Sequence, residues 1–120
     1  MNIQTKRALF VQDVLKEYSD EAQTPVTEPS WDDIDDDRKQ ITINLMENLH
    51  DNNFNVTASD LHQNWVNAHS SIGWAYGDVY DSVAKTHPDI TTYDNLDPLE
   101  AKKFDIFILA AKLAYEIYGE

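Results

Sequence analysis

Along most of the chain, apolar residues recur at steps of three and four, the spacing that gathers them on one face of a helix. Val11, Val14, Leu15 and Tyr18 form the first such stripe and predict a helix from about Ile3 to Tyr18. Ser19 to Ser30 holds two prolines among polar residues and reads as a loop. Ser30, with Asp33 three residues on, predicts the capped start of a second helix. Ile34, Ile41, Leu45 and Leu49 carry its stripe to about His50. Asp51 to Val56 reads as a polar turn. Thr57, with Asp60 behind it, caps a third helix whose buried face is Leu61, Trp65, Ala68 and Ile72, and Gly73 ends it. Asp97-Pro98-Leu99-Glu100 has the form of a helix start, with a cap, Pro in the first turn and Glu at the third position. Phe104, Phe107, Ile108, Ala111, Ala114, Tyr115 and Tyr118 continue that last helix at helical spacing.

From Trp74 to Leu96 neither the helical nor the strand period holds. The stretch carries Trp74, Tyr76, Tyr80 and Tyr93, and long ordered loops of this kind often carry function. A short hairpin is one form it could take. The fold class expected is mostly α: one compact domain over 1–120 of about four helices, with the irregular aromatic-rich segment between the last two. Residues 1–56 supply the N-terminal helices and 57–120 the remainder. Three Gly and four Pro in 120 residues are too few turn formers for a sandwich or barrel.

Charge narrows the partners. Nine basic residues face 22 acidic ones, a net charge of −13. Such a chain repels the phosphate backbone and anionic membranes at long range, so direct nucleic-acid or membrane binding is not expected. The run Asp32, Asp33, Asp35, Asp36, Asp37 sits where it complements a helix N-terminus. Read as a calcium loop it fails, because Arg38 stands where the sharp-turn Gly belongs and Asn44 where the final Glu belongs. The absence of Cys excludes disulfides, thiol catalysis and thiolate metal sites. Lys6 and Arg7 interrupt the first apolar stretch, which argues against a signal peptide, and no run approaches the ~20 apolar residues of a membrane span. A cytoplasmic protein is expected. His50, His62, His69 and His87 form no metal-binding word and no triad with a nucleophile, so no catalytic residue, metal or cofactor is assigned. His62, beside the buried face of the third helix, reads as a structural histidine.

Leu61-His62-Gln63-Asn64-Trp65, then seven residues, then Gly73-Trp74-Ala75-Tyr76-Gly77, resembles the repeat domain of ryanodine receptors. The likeness continues through Asp81, Lys85-Thr86-His87-Pro88, Tyr93, Leu96 and the helix start at Asp97, about half the chain in all. Pro25, Pro29 and Trp31 loosely match the Pro-rich loop and Trp of small stand-alone bacterial and viral versions. Two positions depart from the family pattern: Ser82 follows Asp81, and Asp89 follows Pro88 where a hydrophobic residue is usual. Asp89 makes the charge around the Lys-x-His-Pro word more negative. The resemblance implies a helical domain with an irregular segment before its last helix. It also implies adenine-nucleotide binding in a cleft between paired repeats, with the Trp of the Gly-Trp-x-Tyr-Gly word as a stacking surface. Stand-alone versions are associated with nucleotide-derived signals in conflict between bacteria and phage, which suggests a sensing or sequestering role.

The same residues admit a chemical reading. Trp74 follows a helix stop, so its ring can stand outside the core and stack on a purine, at ~1–3 kcal/mol per base. Tyr76 adds a ring and a hydroxyl, Gly77 a close backbone approach, Lys85 a point charge for phosphate, and His87 a donor or acceptor. Asp81 completes the ligand-binding set. Each residue has an ordinary role beside this one: Trp74 as core, Asp81 as turn cap or partner of Lys85, Lys85 and His87 as loop anchors. Two functions follow. One is non-catalytic binding of a nucleotide-derived small molecule, with a homodimer rebuilding the paired cleft. The other is an acidic protein-interaction module or nucleic-acid mimic built on the Asp32–Asp37 run.

Overall fold

The computed structural model describes residues 1–119. Four helices, α1 (Ile3–Ala22), α2 (Asp36–Asp51), α3 (Ala58–Ser71) and α4 (Pro98–Ile117), enclose one apolar centre. The mostly α expectation holds, with the irregular segment lying between α3 and α4. Arg7 reaches the carbonyl of Tyr118, and the Tyr18 hydroxyl reaches the carbonyl of Leu99, so α1 and α4 run antiparallel along their length. Ala110, Ala111 and Ala114 on α4 are buried against Ala8, Val11 and Leu15 of α1, small surfaces that let the two backbones approach. Ile41, Leu45, Met46 and Leu49 of α2 and Leu61 of α3 close the core over Phe104 and Phe107. The radius of gyration, 13.4 Å, matches the ~13.6 Å of a compact chain of this length. No helix among the described residues is long and apolar enough to cross a membrane.

The helix boundaries differ from expectation at two places. Nothing between Ser19 and Ala22 breaks a helix, and α1 runs on until Gln23 takes a left-handed conformation at φ 53°. Ser30 does not cap α2. It begins a 3₁₀ turn over Trp31–Asp33, and its hydroxyl turns to the Asp33 carboxylate at 2.9 Å. That turn sends both Trp31 and Ile34 into the core. The helix restarts at Asp36 under a different cap, Asp35, whose carboxylate accepts from the Arg38 N–H at 2.9 Å. The third helix follows its prediction: Thr57 accepts from the Asp60 N–H, and Gly73 stops it at φ 91°.

The segment after Gly73 is no hairpin. β1 (Ala75–Tyr76) and β2 (Thr86–His87) pair in parallel, with an antiparallel bridge between Asp81 and Thr86. The intervening residues loop fully round, so the second strand returns in the direction of the first. Gly77 is required by this crossing: a Cβ there would lie 2.6 Å from the Cβ of Thr86. Asp97 caps α4 by accepting from the Leu99 N–H at 2.8 Å. Glu100 does not complete a capping box. It turns inward, where it accepts from the Val26 N–H at 3.1 Å and from Lys103 at 2.9 Å.

Candidate functional site

The six residues singled out in the sequence do not converge. Trp74 does not stand outside the core: it is 3% exposed. Its ring stacks with Tyr80, meets His69 edge-on, and has the Arg38 guanidinium 4.6 Å from its centroid. The reason is local. Gly73 turns the chain back over the end of α3, and the Trp74 N–H bonds the His69 carbonyl at 3.0 Å, which folds the indole inward. A ring so enclosed offers no open face to a purine.

Tyr76, by contrast, is exposed, and its hydroxyl donates to Asp78. It edges a shallow cleft of about 460 Å³ shared with Pro88, Asn95 and Asp97. No cation lines that cleft, so it has nothing to hold a phosphate. Lys85 is used internally: its Nζ donates to the Ile72 carbonyl at the end of α3, and its backbone is left-handed at φ 58°. Asp81 takes the turn-cap role, accepting from the N–H groups of Val83 and Ala84. Gly77 packs on Thr86. Only His87 of the six faces an internal polar space.

That space is a cavity of about 60 Å³ where the helices meet. Its polar lining comes from Gln12 on α1, Glu28 in the Pro-rich loop, Arg38 and Thr42 on α2, His69 on α3, His87 and Asp89 after β2, and Lys103 on α4. Glu28, Pro29, Arg38 and Thr42 are half-buried and form its rim. The apolar part includes Trp65, Phe104 and Phe107. A space this small takes a few waters or one compact polar group, since pockets that enclose whole ligands run from about 300 Å³ upward.

Hydrogen bonds fix the protonation pattern of the wall. His69 Nδ1–H donates to the Trp65 carbonyl at 2.8 Å, so its Nε2 lone pair accepts from Arg38 Nε at 3.2 Å. Burial, with Arg38 beside it, lowers the His69 pKa to about 4. His87 Nδ1 accepts from the Asp89 N–H at 3.0 Å, which leaves the proton of the neutral ring on Nε2. Burial, then Arg38 and Lys103, lowers His87 to about 2. His62 also stays neutral, its burial only partly offset by its Nε2–H bond to the Asp89 carbonyl at 2.9 Å. The structural role expected for His62 holds.

Asp89 behaves unlike a surface acid. Burial, then the Glu100 carboxylate beside it, raises its pKa to about 9. Burial and the adjacent Glu100 thus favour the protonated form of Asp89. That shift works against the more negative charge expected around the Lys-x-His-Pro word. Its carboxyl lies 4.0 Å from His87 Nδ1, but with both groups neutral this is no ion pair. Lys103 carries the compensating charge. Its Nζ contacts Glu28 and Glu100 at 2.9 Å each and the Val26 carbonyl at 2.7 Å. These acids outweigh its own burial and raise its pKa.

Arg38 is arranged differently. No carboxylate lies within ion-pair distance of it among the described residues. Two of its five N–H donors are used, one on His69 and one on Tyr80 at 2.8 Å, while the rings of Trp74 and Tyr80 hold its plane. The Trp74 Nε1–H, at the same cluster, is buried without a partner. Arg38, His69, Asp89 and Lys103 were not singled out from the sequence as site residues. Lys103 gave one usable signal: it falls in step with Phe107 and Ala111 on the buried stripe of α4. The tight acidic run hid Arg38, which reads there as one charge among many.

A search of curated proteins and of solved structures returns no match to this chain. The family model of the RyR domain matches residues 36–109 of the 120, from the first residue of α2 to Leu109 on α4. The match spans Arg38, His69, His87, Asp89 and Lys103, along with the Trp74–Leu96 segment that positions them. The chain thus belongs to the RyR domain family.

Proposed function

We propose that this domain binds, without turning it over, a small nucleotide-derived molecule, and that Arg38 takes an anionic group of that ligand at the rim of the cavity. One observation carries the reading. In a chain of net charge −13, a half-buried guanidinium has no carboxylate within ion-pair distance among the described residues and is oriented by two aromatic rings, with N–H donors to spare. Arg in this state matches phosphate and carboxylate oxygens two at a time. The His87 Nε2–H adds a neutral donor to the same wall. The cavity itself admits one group of the ligand, and the remainder lies over the rim at Pro29 and Thr42. Nothing in the wall pairs a nucleophile with a base: His69 and His87 have their Nδ1 atoms committed and their pKa values far below the working range. A sensing or sequestering role fits such a site. So does a cytoplasmic setting, where nucleotide-derived signals are met.

The test is thermal unfolding and calorimetric titration with adenine and guanine nucleotides, cyclic dinucleotides and ADP-ribose derivatives, wild type beside Arg38→Gln. Ligand at 100 times its dissociation constant adds about 2.7 kcal/mol to stability. A melting rise in wild type that Arg38→Gln abolishes supports the reading. A folded protein that responds to none of these compounds sinks it, and turnover of any of them sinks the non-catalytic clause.

A second reading rests on Asp32, Asp33, Asp36 and Asp37, all exposed beside the start of α2. They offer a negative surface to a basic protein. Such a complex weakens steeply with salt, whereas ligand capture inside a partly closed site weakens less.

A further inference from the structure

α4 buries one face against α1 and leaves the other uncovered. Leu109 is 68% exposed, Leu113 46% and Ile117 53%. With half-buried Ile106 they make an apolar ridge at steps of three and four along the helix. Phe10 and Val14 of α1 continue it across the groove beside Ile106. Four exposed charges flank this ridge, Lys102 and Lys112 against Asp105 and Glu116. These four charges cancel on α4 itself, while the exposed Asp13, Glu17 and Glu21 of α1 line the groove beside Ile106. At 3.6 residues per turn the ridge and its charges fit one arc of about 140°.

We propose that this face of α4 pairs with the same face of a second copy of the chain, antiparallel, about a two-fold axis near Leu109. The register follows from the sequence of the helix. Setting Leu109 against its own copy places Lys102 level with Glu116 of the second copy, and brings Asp105 within one residue, about 1.5 Å of rise, of Lys112. The same setting brings Ile106 within one residue of Leu113 on the apolar flank. A two-fold axis across antiparallel helices puts like flanks together, so the apolar flank meets its copy and the charged flank meets its own. To within one residue the apolar pair and both charged pairs meet in this one register, which is why a second copy rather than an unrelated partner is the occupant. A contact of one helix pair with part of α1 is smaller than a standard interface, so the dimer is expected to dissociate in the micromolar range. The pairing stands apart from the ligand reading, since none of Ile106, Leu109, Leu113 and Ile117 lines the cavity.

Sedimentation equilibrium from micromolar to near-millimolar protein tests it, at about 0.15 M salt, where the Debye length of about 8 Å screens the net charge. Wild type is expected to shift from monomer to dimer. Lys112→Glu and Asp105→Lys each set like charges opposite one another and should raise the dissociation constant roughly tenfold or more. Mixed in equal amounts, these two variants regain opposite charges across the axis and should form a heterodimer. Leu109→Glu should be monomeric throughout. All three positions tested are at the surface, and circular dichroism melts confirm that each variant is folded. A wild type that stays monomeric over the whole range overturns the proposal. So does dimerisation of the single variants at wild-type strength, or failure of the mixed pair to associate.

Discussion

The backbone N–H of Asp89 donates to Nδ1 of His87 at 3.0 Å, and the carbonyl of the same residue accepts from His62 at 2.9 Å. One peptide segment thus sets the tautomers of two buried imidazoles. It commits His87 to a proton on Nε2, toward the cavity, and it does so only while the ring is neutral.

Acid should therefore unfold the domain early. His69 and His87 have folded pKa values of about 4 and about 2, both below the ordinary 6.5. Below pH 6.5 the unfolded chain binds protons that the folded chain refuses, so stability falls with pH. The stability is fully present above about pH 6.5. Both contributions begin to be lost together below about pH 6.5; that of His69 is complete near pH 4, and that of His87 continues toward pH 2. Melting temperature measured from pH 7.5 downward should decline from about pH 6.5, and the ring resonances of His69 and His87 should not titrate above pH 5. A midpoint near 6.5 for either ring would contradict the buried geometry.

Asp89 runs the opposite way. Its folded pKa, about 9, lies above the ordinary 3.8, so the folded state holds a proton that the unfolded state has shed. Its contribution is present below about pH 4 and is lost as pH rises toward 9. Asparagine imitates the neutral acid and can still donate to Glu100. Asp89→Asn should melt higher than wild type at pH 8, by about 4 °C for each kcal/mol recovered, and the gap should narrow as pH falls toward 4. A variant less stable than wild type at pH 8 would show an ionised Asp89.

How much of this was legible beforehand depends on what each residue answers to. Helical stripes are local and repeat, so α1, α3 and α4 came close to their places, and Thr57, Gly73 and Asp97 marked ends by chemistry carried in the side chain. Trp74 was misplaced because its burial depends on Gly73 turning the chain back over α3 and on Tyr80 and Arg38 arriving from distant sequence. Glu100 read as a cap because its position fits one. What draws it inward is Lys103, one turn away, and Val26, 74 residues earlier. The cavity is of the same kind: its polar wall is assembled from every helix, and no window of sequence contains it.

Gly77→Ala tests the β1–β2 crossing. The added Cβ would meet Thr86 Cβ at 2.6 Å and its Cγ2 at 3.0 Å, and neither belongs to a flexible chain end. Something must shift, at a cost of about 1–3 kcal/mol by the usual scale of overpacking. Amide exchange should quicken first at Gly77, whose N–H bonds the His87 carbonyl, and at Thr86, bonded to Asp81. Unchanged melting and exchange would mean that the crossing relaxes freely.

Lys103→Met probes the buried charge that the cavity wall rests on. The ammonium is 6% exposed and satisfies Glu28, Glu100 and the Val26 carbonyl together. Removing one partner of a buried charge network costs about 3–5 kcal/mol, because the remaining charge is left uncompensated. Here two carboxylates would face each other beside Asp89, and the loop that carries Val26 and Glu28 would lose its Lys103 ties to α4, keeping only the bond of the Val26 N–H to Glu100. Exchange at the Val26 amide, held by Glu100, and at the Glu28 amide, held by Ser19, should quicken more than exchange within α4 itself. Lys103→Met with Glu100→Gln leaves one buried carboxylate fewer and should recover part of the loss. If the single and double variants melt together, the cost lies in the shape of the methionine and not in the charge.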